Sequence, residues 1–101
     1  MSTREYKIER YLHKQIQLLG GTTRKWVSPG RNGVPDRIVI ISGFIFFVET
    51  KTKNGSLSHV QRREHRRLRD NGAMVEVAYS VKEIDALMVK IKHMMLELLS
   101  P

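Results

Sequence analysis

The sequence predicts one α/β domain in which a mixed β-sheet is flanked by helices. Residues 38–41 and 44–48 are apolar runs rich in β-branched and aromatic side chains, and they flank Ser42-Gly43. This pattern is typical of two strands joined by a short hairpin turn. A helix and a further strand are predicted later in the chain, and a strand, crossover helix and strand usually form a parallel unit. The order α-β-β-β-α-β-α therefore indicates antiparallel and parallel pairing in one sheet.

The first helix and the outer strands are predicted from periodicity. Residues 4–19 carry apolar side chains at helical spacing, and Gly20-Gly21 ends the run. Residues 22–27 have the mixed pattern of a short strand, and residues 73–79 form another predicted strand. Trp26, near the end of the first strand, is expected to pack in the core or at the sheet edge.

The second and third helices each begin at a capping box, in which a Ser and a residue three positions later exchange hydrogen bonds with the backbone. Ser58 and Gln61 open the second helix, and Asn-Gly at 71–72 ends it. Ser80 and Glu83 open the third. Its apolar face is wide: Ile84, Leu87, Met88, Ile91, Met95 and Leu98.

Composition limits the class of protein. A chain of 101 residues allows a single domain, which we take to span residues 1–101. It has no cysteine, no signal-peptide core and no apolar run long enough to span a bilayer. A formal net charge of +8 favours a polyanionic partner, either nucleic acid or an anionic membrane surface.

The open end of the predicted hairpin gathers charged side chains. A two-residue loop pairs Ile41 with Phe44, and counting outward places Asp36 opposite Glu49. Glu49 and Lys51 share one face, because side chains along a strand alternate. Two carboxylates and one amine therefore meet beside apolar strands.

A divalent cation would relieve the repulsion between these carboxylates. Mg²⁺ prefers oxygen ligands and is often held by one or two carboxylates. The alternative is that Glu49 and Lys51 form an ordinary ion pair at a solvated strand end. Pro35 favours the cation site, because it fixes the extended lead-in to Asp36.

These motifs resemble those of a nuclease superfamily. The signature of the PD-(D/E)XK nucleases resembles two segments here, Pro35-Asp36 and Glu49-Thr50-Lys51. A fuller set of segments resembles the VRR-NUC (virus-type replication–repair nuclease) family: residues 30–37, residues 47–51, Leu57-Ser58 and Gln61. The resemblance extends over residues 8–79 and implies a restriction-endonuclease-like core.

The resemblance also implies a reaction, the Mg²⁺- or Mn²⁺-dependent hydrolysis of DNA phosphodiester bonds. Asp36, Glu49 and the backbone carbonyl of Thr50 would bind the metal ion. Lys51 would orient the attacking water and stabilise developing negative charge.

Two further residues of the implied site have competing interpretations. The family places an acidic residue of its first helix near the metal, and Glu9 matches better than Glu5; it would act directly or through water. The alternative is that Glu5 and Glu9 are solvated helix charges. Gln61 either serves the Ser58 cap or faces the active site, where it would hold a water or a phosphate.

DNA contacts are expected from basic residues around this site. The second helix carries a basic flank that a DNA backbone would neutralise better than solvent, and its residues are Arg62, Arg63, Arg66 and Arg67. Arg31 in the glycine-rich loop, Lys25 and Lys53 are further candidates, although the loop is equally readable as a surface connection. His59 and His65 are interpreted as surface groups.

Resemblance to stand-alone viral and bacterial members of the family suggests branched DNA, such as a four-way (Holliday) junction, as substrate in DNA repair. We therefore expect a cytoplasmic protein, in a bacterium or a viral host, that works as a homodimer. One rival is an inactive DNA-binding module on the same fold, and another is a structural or membrane-surface protein. Neither rival explains the placement of Asp36, Glu49 and Lys51.

Overall fold

The computed structural model describes residues 3–100 of the chain. Three helices and four strands follow one another in the predicted order. They are α1 (Thr3–Leu18), β1 (Thr22–Lys25), β2 (Arg37–Ile41), β3 (Phe44–Thr50), α2 (His59–Asp70), β4 (Val75–Ala78) and α3 (Val81–Leu99). Strands β1 and β4 are shorter than their sequence patterns suggested, whereas β3 extends far enough to include Glu49 and Thr50.

One mixed sheet of strand order β1-β2-β3-β4 forms the centre of the domain. Strands β1, β2 and β3 pair antiparallel, and β3 pairs with β4 in parallel through α2. In the hairpin Ile41 lies opposite Phe44, which confirms the predicted two-residue loop. Ser42 and Gly43 have φ of 48° and 84°, as a type I′ hairpin turn requires.

The two faces of the sheet differ because side chains alternate along each strand. One face carries the buried Val39, Phe46 and Val48, which share a core with apolar residues of α1 and α3. The other face carries Glu49 and is approached by α2. There Phe47 packs on Trp26, with ring centroids 4.9 Å apart, as expected for a residue that packs at the sheet edge.

Helix α3 divides its apolar residues between the core and the surface. Ile84, Leu87, Met88 and Ile91 are buried, whereas Leu98 is 61% exposed. Ser80 caps the helix by accepting a hydrogen bond from the backbone N–H of Glu83. Within residues 3–100 no helix has the length and apolarity needed to cross a membrane.

Candidate active site at the open end of the hairpin

Asp36 is held at the end of β2 by the strand opposite it. Its Oδ2 accepts hydrogen bonds from the backbone N–H of Thr50, at 2.9 Å, and from the Thr50 hydroxyl, at 3.0 Å. The β2–β3 register runs from Ile41 opposite Phe44 to Arg37 opposite Val48, so its next pair is Asp36 with Glu49. The two carboxylates that the sequence predicted to meet are therefore neighbours.

Glu49 is an acid in an unfavourable place for a negative charge. It is 2% exposed. Burial, the charge of Asp36 and a hydrogen bond with Asp36 together raise the pKa of Glu49 to about 8, although the Lys51 amine opposes the shift. Lys51 Nζ lies 4.0 Å from Glu49 Oε2. At neutral pH the Asp36–Glu49 pair therefore retains a proton.

Gln61 completes the Ser58 cap and also contacts Glu49. The Gln61 side-chain Oε1 accepts a hydrogen bond from the Ser58 backbone N–H at 2.9 Å. The Gln61 backbone N–H donates to Ser58 Oγ at 3.1 Å, which completes the capping box. The other end of the amide, Nε2, donates to Glu49 Oε2 at 3.4 Å. Because the cap fixes which end faces Glu49, the amide presents a donor to that carboxylate.

His65 is a site residue that the sequence interpretation missed. The prediction that it lies on the surface is wrong, because its side chain is fully buried and its Nε2 is 3.8 Å from Glu49 Oε1. Burial first, and then the charge of Arg69, lower the pKa of His65. Both ring nitrogens and Glu49 Oε1 lack hydrogen-bond partners. Its spacing of four from Gln61 is the signal that places it on the same side of α2.

The two glutamates of α1 are placed differently from one another. Glu9 is 1% exposed, and its Oε1 accepts from Arg37 Nε at 2.6 Å and lies 3.7 Å from Lys25 Nζ. Arg37 pairs with Val48 in the β2–β3 register, so its side chain lies on the sheet face opposite Glu49. Glu5 acts on Glu49 electrostatically, since its charge contributes to the raised pKa.

The predicted DNA-binding residues fall into separate groups. Arg31, Arg63 and Arg67 line one pocket between the glycine-rich loop and α2. Arg62 donates to the Leu57 carbonyl at 3.3 Å, and Arg66 lies on the exposed side of α2. Lys53 is exposed in the turn after β3, and Lys25 is half-exposed beside Glu9.

The carboxylate pair fits a hard divalent cation. Across residues 3–100 no group of three or more His, Cys, Asp or Glu side chains is arranged as a metal site. Two carboxylates suffice for Mg²⁺, which keeps several waters and is completed by substrate phosphates. The pKa of Glu49 is raised and its Oε1 has no hydrogen-bond partner, so a bound cation would stabilise its ionised form and occupy that oxygen.

Comparisons with known proteins relate the chain to nuclease domains. The VRR-NUC domain model matches residues 11–82. The "Putative nuclease p44" of Acyrthosiphon pisum secondary endosymbiont phage 1 is 47% identical over 66 residues, which are 64% of this chain and 71% of the phage protein. A solved structure described as a VRR_NUC domain superposes with a TM-score of 0.80 at 39% identity, over 86% of this chain and 96% of its own. These similarities support a nuclease.

Proposed function

This chain belongs to the VRR-NUC domain family, and from that premise we propose that it is a divalent-metal-dependent DNA endonuclease. The observation that carries the proposal is the buried Asp36–Glu49 pair, whose proton a cation would replace. Asp36, Glu49 and the Thr50 backbone carbonyl would hold Mg²⁺ or Mn²⁺. The cation would supply positive charge for the scissile phosphate and acidify a water nucleophile.

The remaining side chains of the site position groups around that pair. Lys51 is 18% exposed and reaches the Glu49 carboxylate from the solvent side, where its ammonium can orient a water and stabilise negative charge on a phosphate. Gln61 and His65 lie against the two oxygens of Glu49. They restrict the rotation of this carboxylate.

Cleavage assays test the proposal directly. Linear, flapped and four-way DNA should be cut with Mg²⁺ or Mn²⁺ and left intact in a chelator. Asp36→Asn and Glu49→Gln should abolish cutting while DNA binding persists, and Lys51→Ala should bind Mn²⁺ but turn over roughly 10²–10³-fold more slowly. Glu97→Gln on α3 is the matched surface control. Normal cutting by folded Asp36→Asn or Glu49→Gln protein would contradict the proposed mechanism.

We propose branched DNA as the preferred substrate and a homodimer as the working unit. Resolution of a four-way junction needs two cuts, and two-fold symmetry presents two identical sites. The first half of the apolar face on α3 is buried in the core. Leu96, Leu98 and Leu99 in the second half are exposed and form a candidate interface. Mixing active protein with Asp36→Asn protein should yield nicked, half-resolved junctions. The dimer would be excluded if mixing only lowered the yield of fully resolved junctions. It would also be excluded if the protein had the mass of a single chain in solution.

A further inference from the structure

A cavity of about 250 Å³ lies beside the carboxylate site, between α2 and the loop before β2. Three arginines line it, Arg31, Arg63 and Arg67, together with the carboxylate of Glu64 and the loop backbone. The formal charge of these four side chains is +2, so the cavity favours an anion. Guanidinium groups match the geometry of phosphate oxygens.

The loop that carries Arg31 is fixed against α2 by a glycine. Gly33 has φ of 87°, and a Cβ added there would lie 2.6 Å from the Val60 carbonyl oxygen. No side chain fits between the two backbones, so the loop rests directly on the first turn of α2. This close contact therefore fixes the position of the loop that carries Arg31, which forms one wall of the cavity.

Glu64 is buried in a helix whose other charges are mostly exposed. It is 8% exposed, and its Oε1 lies 3.6 Å from Arg31 Nη1 and 3.4 Å from Arg67 Nη1. Both arginine side chains remain about half exposed, at 53% and 50%. One buried carboxylate thus holds two guanidinium groups at the mouth of the cavity.

The rest of α2 shows that this arrangement is local. Arg66 and Asp70 form an exposed pair at 4.0 Å, with side-chain exposures of 84% and 71%. Arg69 donates to the Val75 carbonyl at 2.7 Å and so ties α2 to β4. Only the side of α2 facing the loop combines a cavity, clustered arginines and a buried acid.

We propose that this cavity binds a backbone phosphate of the nucleic-acid strand and that Glu64 is the residue that positions Arg31 and Arg67 for it. The inference rests on the proposed DNA substrate but does not need cleavage. Val60 on the cavity wall precedes Gln61, which contacts Glu49. Consecutive residues of α2 therefore contact the cavity and the carboxylate pair.

The direction in which one mutation changes DNA affinity tests the role of Glu64. Loss of an acidic charge near DNA should strengthen binding if charge alone matters, whereas a positioning residue predicts the reverse. Glu64→Gln should bind labelled duplex DNA about tenfold more weakly in metal-free buffer. Asp70→Asn, which makes the same charge change on the same helix, should bind equally well or more tightly. Tighter binding by Glu64→Gln would overturn the proposal.

Three further variants, at Arg31 and Arg67, keep the test decisive if Glu64→Gln fails to fold. Arg31→Lys and Arg67→Lys retain charge but lose the two-pronged geometry, so both should weaken binding, and unchanged affinity would refute the pocket. The double variant Arg31→Gln/Arg67→Gln should reduce the salt slope by roughly 0.9, one phosphate's share.

A probe without DNA separates this proposal from the nuclease. Inorganic phosphate, followed through the NMR signals of arginine Nε–H groups, should shift Arg31, Arg63 and Arg67 in wild type and shift them less in Glu64→Gln. The absence of these shifts in wild type would count against the pocket even if cleavage is demonstrated. Their presence in a protein that never cuts DNA would support it while the proposed function fails.

Discussion

Glu9 and Glu49 are both almost fully buried, on opposite faces of one sheet, but only Glu9 is neutralised by a close cation. Glu9 accepts a 2.6 Å hydrogen bond from Arg37 and has Lys25 nearby. Glu49 instead faces a second carboxylate, and its nearest amine, on Lys51, is 4.0 Å away. The arginine compensates the Glu9 charge at Oε1, although Glu9 Oε2 has no hydrogen-bond partner, whereas a buried acid beside another acid needs a proton or a cation.

The contrast distinguishes the carboxylate of Glu9, which stabilises the fold, from that of Glu49, which is available for chemistry. Sequence spacing predicted the Asp36 partner of Glu49 through the hairpin register, but it did not reveal the Arg37 partner of Glu9. What distinguishes them is the partner that the fold delivers, and both partners lie far away in sequence. Functional sites are where burial and like charges raise a carboxyl pKa, and Glu49 meets that description.

The largest expected effect is a difference in stability between amide variants of these two residues. Glu9→Gln leaves Arg37 without its carboxylate, which should cost up to about 3 kcal/mol of unfolding free energy, less than for a fully buried pair because Arg37 is 21% exposed. Glu49→Gln relieves repulsion and should leave metal-free stability equal or higher. Urea denaturation measures both. Destabilisation by Glu49→Gln equal to that by Glu9→Gln would erase the distinction.

Much of the fold was predictable because it is encoded locally. The hairpin turn, the capping box at Ser58 and the periodicity of α1 each depend on residues a few positions apart. The Asp36–Glu49 pairing was also accessible, because a two-residue loop fixes the register of a hairpin.

Features that depend on packing between elements were not predictable. His65 was interpreted as a surface group; its spacing of four from Gln61 places both on one side of α2, but only the packing of α2 on the sheet buries His65 against Glu49. Arg69, a further arginine of the same helix, donates to a β4 carbonyl in the structure, which no local pattern indicated. Likewise, the buried Glu64 pairs with Arg31 of the glycine-rich loop, which lies 33 positions earlier in the chain.

The next effect in size concerns His65, which lies against the unpartnered oxygen of Glu49. We expect the imidazole to come within hydrogen-bond distance when Glu49 is ionised and so to orient it. His65→Ala should weaken Mn²⁺ affinity, measured by calorimetry, by roughly 10–100-fold. His65→Gln retains a donor and should recover part of the loss. Equal affinity of folded His65→Ala and wild type would show that the residue only fills space.

The raised pKa of Glu49 predicts opposite pH trends for stability and for metal affinity. Protonation of Glu49 stabilises the folded state, and this contribution to the free energy of unfolding is fully present below about pH 4.5 and is lost as pH rises through about 8. The loss is at most about 1.4 kcal/mol per pH unit. The melting temperature of metal-free protein should therefore fall over this range, and Glu49→Gln should flatten the fall. His65, whose pKa is lowered, removes stability in the other direction, as pH falls below about 6.5.

Metal affinity should rise over the same pH range. A cation bound by Glu49 displaces its proton, so Mn²⁺ affinity should increase by up to about tenfold per pH unit until pH 8 and then level off. Calorimetry in two buffers of different protonation enthalpy would count the released proton. Affinity independent of pH between 6 and 8 would contradict a protonated Glu49.

The smallest effect decides which glutamate of α1 belongs to the active site. The charge of Glu5 helps to raise the pKa of Glu49, so Glu5→Gln should lower that pKa slightly. Glu9→Gln should move it less, because Arg37 and Lys25 already offset the Glu9 charge. Carboxyl ¹³C NMR of Glu49 can follow the midpoint in both variants. A larger shift in Glu9→Gln would instead support the family-based assignment of Glu9 to the metal, and would place its second, unpartnered oxygen in contact with the site through water.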